Sequence, residues 1–508
     1  MARLLIGSVY FLRLDPPRWA EMQPFPPLGT LHAASYVRAQ GHDVRFFDAM
    51  LAESPQEWAQ AVSRERPNLA VLFDDNFNYL SKMCLANMRD AAFAMIAAAR
   101  DAGAKVVVCS ADAADHPELY LRAGADAVIL GEGEAALAEI ADGIDRDAMA
   151  ALDGIDGIAS VDAHGALHRG PKRAPMRDLD ALPFPAWDLV DFDAYRRLWR
   201  ERHGMFAVNM ATTRGCPYLC NWCAKPIWGQ SYTVRSAANV VAELKELVAL
   251  ASPDYIWFMD DIMGLKPKWW GAFADELERH DLELPFKCLS RADILLREGA
   301  IEDLKRAGCD IVWLGAESGS QSVLDAMDKG LTIAQIRDAT LHLKDAGIRV
   351  GYFIQFGYPG ENAEDIAKTL ELIRENTPDE LGISVSYPLP GTGFYERVKQ
   401  ELKEKRNWVD SGDLAMLYRG PFSTEFYREL HAYVHRDFKR RRAWRRFKDV
   451  LWGREPFKLR HLLALGYAGL TLPLVPLSLY RMRLLRARHP PQTPARADAP
   501  KRAVLARS

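Results

Sequence analysis

The sequence predicts an α/β protein in three parts: a doubly wound parallel domain, a partial (β/α)6 barrel and a mostly helical C-terminal tail. Three observations predict it. Residues 1–145 alternate short β-branched apolar runs with helix-patterned segments, residues 205–395 repeat that alternation six times after a proline-rich break, and from residue 396 the strand pattern stops and arginines accumulate. With 508 residues, 49% of them hydrophobic, the chain has material for two or three cores at the usual domain size of about 100–200 residues.

In the first part, strands are expected at residues 4–12, 43–47, 69–73, 105–109 and 127–130, with helices such as 28–40 and 90–102 between them. Runs apolar on both faces belong in a parallel sheet covered on both sides. A five-stranded sheet of the Rossmann-like or flavodoxin-like kind follows, with its ligand crevice at the carboxyl ends of the strands. Residues 146–204 break the pattern. Residues 154–170 read as a small hairpin, and Leu182-Pro-Phe-Pro-Ala-Trp187 reads as an extended linker, because proline disfavours helix at the residue before it.

Strands are next expected at residues 206–213, 255–260, 286–290, 311–316, 350–356 and 383–387, interleaved with helices at 237–249, 267–277, 301–307, 333–346 and 363–375. Gly308 and Gly347 stand where helix C-caps favour a left-handed residue. Parallel barrels built from such units carry their chemistry on the loops at the strand C-termini. The region 396–508 contains a basic helical run at 426–450, an uncharged stretch at 462–480 and an end, 490–508, with the composition of disordered chain. The uncharged stretch approaches the length of a membrane span. Pro473 and Pro476 interrupt it and Arg460 and Arg481 flank it, so packing on the protein itself, peripheral membrane contact and a true span all stay open.

A net charge of −3 says little about partners, but its distribution says more. The arginine-rich tail suits either a solvated helix face or an anionic surface. No nucleic-acid-binding fold is recognisable and few aromatics interleave with the basic residues, so no nucleic acid partner is expected. The first apolar run is short, meets Arg13 and Asp15 at once and shows no small-residue cleavage site, so it reads as a buried strand. Together with an odd count of seven cysteines, this points to a reducing, cytoplasmic setting, the tail being the segment suited to membrane-peripheral contact.

Three of the seven cysteines lie in one stretch, Arg214-Gly-Cys-Pro-Tyr-Leu-Cys-Asn-Trp-Cys, directly after the first barrel strand. Thiolates are the usual ligands of iron–sulfur clusters, and a cubane of four irons bound by Cys216, Cys220 and Cys223 keeps one iron open for chemistry. Structural zinc sites usually pair two knuckles, whereas Cys84, Cys109, Cys288 and Cys309 are scattered singly. Cys288 and Cys309 read as small buried hydrophobes, and His42, His116 and the tail histidines as surface or turn residues without a metal.

The Cys-x-x-x-Cys-x-x-Cys loop resembles the signature of the radical S-adenosylmethionine (radical SAM) enzymes. Further motifs follow in order at predicted strand ends: Trp257-Phe-Met-Asp-Asp261, Ser290-Arg-Ala-Asp293, Gly315-Ala-Glu-Ser-Gly-Ser320, Phe356-Gly-Tyr-Pro-Gly-Glu361 and Tyr387-Pro-Leu-Pro-Gly-Thr392. They resemble the branch that carries an N-terminal cobalamin-binding domain. Pro26-Pro-Leu-Gly, Gly41-His-Asp-Val and Ala125-Asp-Ala-Val-Ile-Leu-Gly-Glu-Gly-Glu134 resemble that domain's own pattern. Two departures stand out: the Asp-x-His-x-x-Gly that supplies a lower axial histidine elsewhere is absent, and Cys109-Ser110 replaces the usual Gly-Gly.

The resemblance implies a [4Fe-4S] cluster on Cys216, Cys220 and Cys223, with S-adenosylmethionine chelating the open iron and cleaved to a 5'-deoxyadenosyl radical. It implies cobalamin as a further cofactor, a small-molecule or lipid-like substrate, and an electron donor such as flavodoxin or ferredoxin. Cofactor-binding candidates are Asp260, Asp261, Ser290, Arg291, Glu317, Gly357, Pro359 and Gly360. Arg291 is expected to pair either with Glu317 or with the carboxylate of S-adenosylmethionine. Tyr387 is a candidate proton donor or substrate contact, set against plain packing. Methylation of an unactivated carbon is the favoured reaction; radical cyclisation or rearrangement, as in anaerobic porphyrin cyclases, and a non-catalytic cobalamin or iron–sulfur carrier are the alternatives. The expected divisions are 1–145, 146–204, 205–395 and 396–508.

Overall fold

A computed structural model describes every residue except 145–151, 153, 163, 224–226, 454–455, 458 and 489–508. The disorder expected at 490–508 therefore lies outside the described residues.

The first sheet contains β1 (Arg3–Gly7), β2 (Asp43–Phe47), β3 (Leu69–Phe73), β4 (Lys105–Cys109) and β5 (Ala127–Ile129), followed by β6 (Ile158–Val161) and β7 (Leu167–Arg169). Its order is β2-β1-β3-β4-β5-β6-β7, with the first five strands parallel and the last two added antiparallel. The expected hairpin is thus present, but it continues the first sheet. Strand order reverses between β1 and β3, which opens the crevice at their carboxyl ends.

The second sheet is a curled, unclosed half-barrel of six parallel strands. These are β8 (Ala207–Met210), β11 (Tyr255–Phe258), β12 (Phe286–Ser290), β13 (Cys309–Glu317), β14 (Arg349–Phe356) and β15 (Glu380–Val385), in sequential spatial order. Between β8 and β11, a short antiparallel ribbon joins β9 (Thr213–Arg214) to β10 (Thr233–Val234). Local chemistry sets the helix starts, as where Thr332 with Gln335, and Asn362 with Asp365, form reciprocal capping boxes. Gly308 and Gly347 adopt positive φ of 87° and 72° at helix ends. Cys288 and Cys309 are buried, as expected, but His42 is also buried. Its ring accepts the Ala2 N–H at 3.2 Å and meets Asp142 at 3.0 Å, so it joins two elements of the first domain and is no surface residue.

The parts pack as one body. Phe25, from a loop of the first domain, inserts edge-on between Trp199 and Trp257, with ring centroids 5.2 and 4.8 Å away. Such edge-to-face pairs add about 0.5–1.5 kcal/mol beyond the area they bury. The tail returns to the first domain as well: Ala86 N–H donates to the Trp408 carbonyl, and Ser411 to Asp15. The uncharged stretch forms two helices, Leu459–Thr471 and Leu474–Arg488, against the long helix Thr424–Leu451. Among the described residues no single helix is long and apolar enough to cross a membrane.

Candidate active site

The cysteine loop emerges from the C-terminal end of β8 and is fixed at its base. The Asp260 carboxylate accepts the backbone N–H groups of Thr212 and Thr213 at 2.7 and 2.6 Å and both of their hydroxyls at 2.9 Å. Burial pushes its pKa up to about 6 in spite of these donors. Asp260 is therefore spent on the chain entering the loop, where sequence reading placed a ligand contact. Its neighbour Asp261 turns the other way and pairs with Lys82 of the first domain at 2.6 Å. Gly215, at φ 79°, lets the loop leave the β9–β10 ribbon, since a Cβ there would lie 2.4 Å from the Ser231 carbonyl oxygen.

Arg214, the residue that opens the ribbon's loop, reaches into the first domain and forms buried ion pairs with Glu132 and with Glu134, the latter at 2.6 Å. These two glutamates belong to the Gly-Glu-Gly-Glu run that carried the cobalamin-domain resemblance. Sequence reading missed the pairing. The only signal was an arginine at the entry of the cysteine loop and two acids at a strand end some eighty residues earlier.

At the crown of the loop Asn221 gathers three segments. Its N–H donates to Met327, its side-chain amide donates to the Ala326 carbonyl at 2.9 Å and to Asp328 at 2.7 Å, its Oδ1 accepts from the Tyr358 hydroxyl at 2.6 Å, and its carbonyl accepts from Phe394 N–H at 2.8 Å. Side chain and backbone of this one residue together hold the segment between Cys220 and Cys223 against three segments that follow barrel strands. Cys216, Cys220 and Cys223 are half-buried thiols. Burial first, and then the charges of Asp261 and the two sister cysteines, push Cys223 up to about 12. Among the described residues no three His, Cys, Asp or Glu side chains converge on one ion. Three thiols on one loop are the donor set that a cubane takes, one thiolate to each iron.

Facing the loop, Glu317 ends β13 at φ 58°, beside a register shift between Gly315 and Glu317. A non-glycine residue in that region is strained, and a bulge re-aims its side chain. Its partner is Lys329 at 2.9 Å, both side chains being buried. Of the two partners open to Arg291 in the sequence, Glu317 is not taken. Arg291 instead donates to Asp293 at 3.0 Å and to the Lys329 carbonyl at 3.1 Å, and lies 3.6 Å over the Tyr218 ring. Lys329, which sequence reading passed over, also stands 5.9 Å from the ring of Trp222 in the cysteine loop. The Ser290 hydroxyl donates to the Met263 carbonyl at 3.1 Å.

At the end of β14, Gly357 (φ 83°) and Gly360 (φ 89°) shape a loop around half-exposed Pro359. The tail braces this loop: Tyr418 donates to the Gly357 carbonyl, and Tyr427 to Glu361 at 3.3 Å, which itself accepts Gly357 N–H at 2.8 Å. Glu361 is pushed up to about 8 by burial. Tyr387 is turned to the seam between parts. Its hydroxyl accepts from Asn407 at 3.0 Å and its ring lies edge-on to Trp408, which is the packing role.

At the crevice of the first domain, the Ser8 hydroxyl and the Asn76 carbonyl oxygen are buried with no partner among the described residues, and so is His32 Nδ1 nearby. Burial and the charges of Arg214 and Arg235 keep His32 neutral. Such orphaned groups suit a ligand rich in amide donors and acceptors, as the corrin periphery is. The Cys109-Ser110 departure is absorbed locally. Cys109 occupies the space that a Cβ on Gly133 would need, 2.7 Å away, and Ser110 caps the next helix through Ala113 N–H.

Residues 210–373 match the family model of the radical SAM superfamily, and residues 23–141 match that of the B12 binding domain. An uncharacterized methyltransferase of Pyrococcus horikoshii is 28% identical over 391 residues, 75% of this chain and 81% of that protein. The anaerobic magnesium-protoporphyrin IX monomethyl ester cyclase of Rubrivivax gelatinosus is 28% identical over 291 residues, 56% of this chain and 52% of its own length. Among solved structures, the cobalamin-dependent S-adenosylmethionine radical enzyme OxsB, with aqua-cobalamin and S-adenosylmethionine bound, superposes with a TM-score of 0.69 at 15% identity. The match covers 97% of this chain and 74% of that one.

Proposed function

From a chain that belongs to the radical SAM superfamily and carries a B12 binding domain ahead of its radical SAM core, we propose an enzyme that methylates an unactivated carbon of a small-molecule or lipid-like substrate. The single observation that carries this is the Arg214 clamp, in which the residue opening the cysteine loop is ion-paired to the first domain's strand-end glutamates, so the two cofactor domains meet as one site. When bound, the cluster and cobalamin supply an electron for cleaving S-adenosylmethionine and a carrier for its methyl group.

The chain's own work is placement. Cys216, Cys220 and Cys223 would hold the cluster, with Asn221 fixing their spacing and Asp260 fixing the entry to their loop. Glu317, Arg291, Ser290 and the Gly357–Gly360 turn would frame S-adenosylmethionine, with Lys329 keeping the Glu317 carboxylate oriented. Ser8 and Asn76 would meet cobalamin at the crevice. Trp222 in the cysteine loop, its ring 5.9 Å from Lys329, would shield the cluster from water. A reductant such as flavodoxin or ferredoxin would supply the electron. The reading also includes a peripheral contact of the tail with a membrane.

The cyclase reading rests on a relative half of whose length the chain matches, and the carrier reading leaves the Glu317–Lys329 strand-end frame without a task. The test is to incubate anaerobically reconstituted protein, loaded with reduced cobalamin, with S-adenosylmethionine labelled on its methyl group. Label in the cobalamin fraction, with S-adenosylhomocysteine formed, is expected. 5'-Deoxyadenosine without any label transfer would favour cyclisation, and neither product would leave only the carrier.

A further inference from the structure

The two last described helices are built inside out for water. In Leu459–Thr471 and Leu474–Arg488 the buried positions are His461, Thr471, Ser478 and Met482, while most of the leucines face outward. Leu459 and Leu463 are each 70% exposed and Leu470 is 80% exposed. Helices of globular proteins do the reverse, burying the apolar stripe, because an exposed leucine forgoes the gain of leaving water. Two of the polar groups inside are used: Arg436 donates to Ser478 at 2.5 Å and to Glu429 at 3.1 Å, and Thr471 bonds its own helix. Polar contacts between helices with leucines outward is the arrangement expected in hydrocarbon.

Charge selects the occupant. Residues 424–488 hold 16 Lys and Arg against 5 Asp and Glu. A second copy docking on this face would set positive against positive, because a two-fold contact repeats the same patch on both sides. An anionic bilayer complements it, since basic residues near its surface are attracted to the headgroups. Trp444, Trp452, Phe457 and Tyr480 are exposed around the leucines, as aromatics are at a membrane interface. The helix pair satisfies the hydropathy expected of a span only when taken together, and it bends by 43° at its break. A 13-residue helix is about 20 Å long, short of the roughly 30 Å hydrocarbon core.

We propose that this helical hairpin sinks its leucine face into the surface of an anionic lipid bilayer, as a wedge that does not cross it, with the arginines of the tail at the headgroups. The proposal rests on the membrane-peripheral reading of the tail and is independent of the radical chemistry. Because the helix Thr424–Leu451 carries both the hairpin and Tyr427, which braces Glu361, the docked membrane lies on the same rigid element as the candidate site.

Flotation of the reconstituted full chain with vesicles tests it. Phosphatidylcholine vesicles containing roughly a third phosphatidylglycerol should carry the protein upward, and neutral vesicles should carry at least about tenfold less. Leu463→Glu with Leu470→Glu should abolish flotation, while 5'-deoxyadenosine formation in detergent stays unchanged. Absence of flotation with anionic vesicles, equal flotation with neutral ones, or a dimer in sedimentation that the double variant dissolves would each overturn the proposal. Loss of 5'-deoxyadenosine in the wild type would instead strike the catalytic reading.

Discussion

Single side chains decide how well the cysteine loop is held. Asn221 makes its bonds with partners from three segments; Asn221→Ala removes its side-chain bonds to Ala326, Asp328 and Tyr358, of which Tyr358 keeps the Ala326 carbonyl and Arg397 as partners. Iron retained after desalting should fall several-fold, while overall stability in urea moves little. Lys329→Met is expected to cost about 3–5 kcal/mol, because it strands a buried carboxylate at Glu317. Adding Glu317→Gln should restore stability but not S-adenosylmethionine affinity, which equilibrium dialysis separates. Glu361 gives a pH signature. Its folded-state pKa, about 8, lies above its ordinary value of 4.5, so the folded chain keeps the proton that the unfolded chain loses. Its contribution is complete below pH 4.5, declines as pH rises to about 8 and is flat beyond. Denaturation midpoints across that window should show a downward slope that Glu361→Gln reduces.

Elements show what a sequence can and cannot carry. The barrel strands were legible because period and turn chemistry are local: 286–290 coincides with β12, and the others agree to within a few residues. The cysteines were legible because their spacing is local too. The β9–β10 ribbon was not, being two residues a side with no alternation to read. The pairing of Glu317 with Lys329 was hidden as well, because Arg291 was as plausible a partner until the β13 bulge fixed where Glu317 points. The ribbon carries its own test. Gly215→Ala must force a Cβ against the Ser231 carbonyl and adopt a positive φ, so cluster incorporation measured by iron and sulfide should drop by about tenfold while far-ultraviolet dichroism is retained.

For the molecule as a whole, the decisive contacts join residues far apart in sequence. Arg214 with Glu132 and Glu134, Lys82 with Asp261, and Tyr427 with Glu361 tie the crevice, the barrel and the tail into one frame around the cysteine loop. Arg214→Met should therefore separate two functions, lowering transfer of methyl label to cobalamin more than cleavage of S-adenosylmethionine. We propose that Cys216, Cys220 and Cys223 hold a cluster with one open iron on which S-adenosylmethionine is broken. It is tested most directly by anaerobic reconstitution with iron and sulfide, followed by the visible and spin-resonance spectra with and without S-adenosylmethionine and by quantifying 5'-deoxyadenosine. About four irons per chain, a spectrum shifted by S-adenosylmethionine and 5'-deoxyadenosine absent in Cys220→Ala are expected. A chain that takes up no cluster, or one whose spectrum ignores S-adenosylmethionine, would rule out an open iron on these three cysteines.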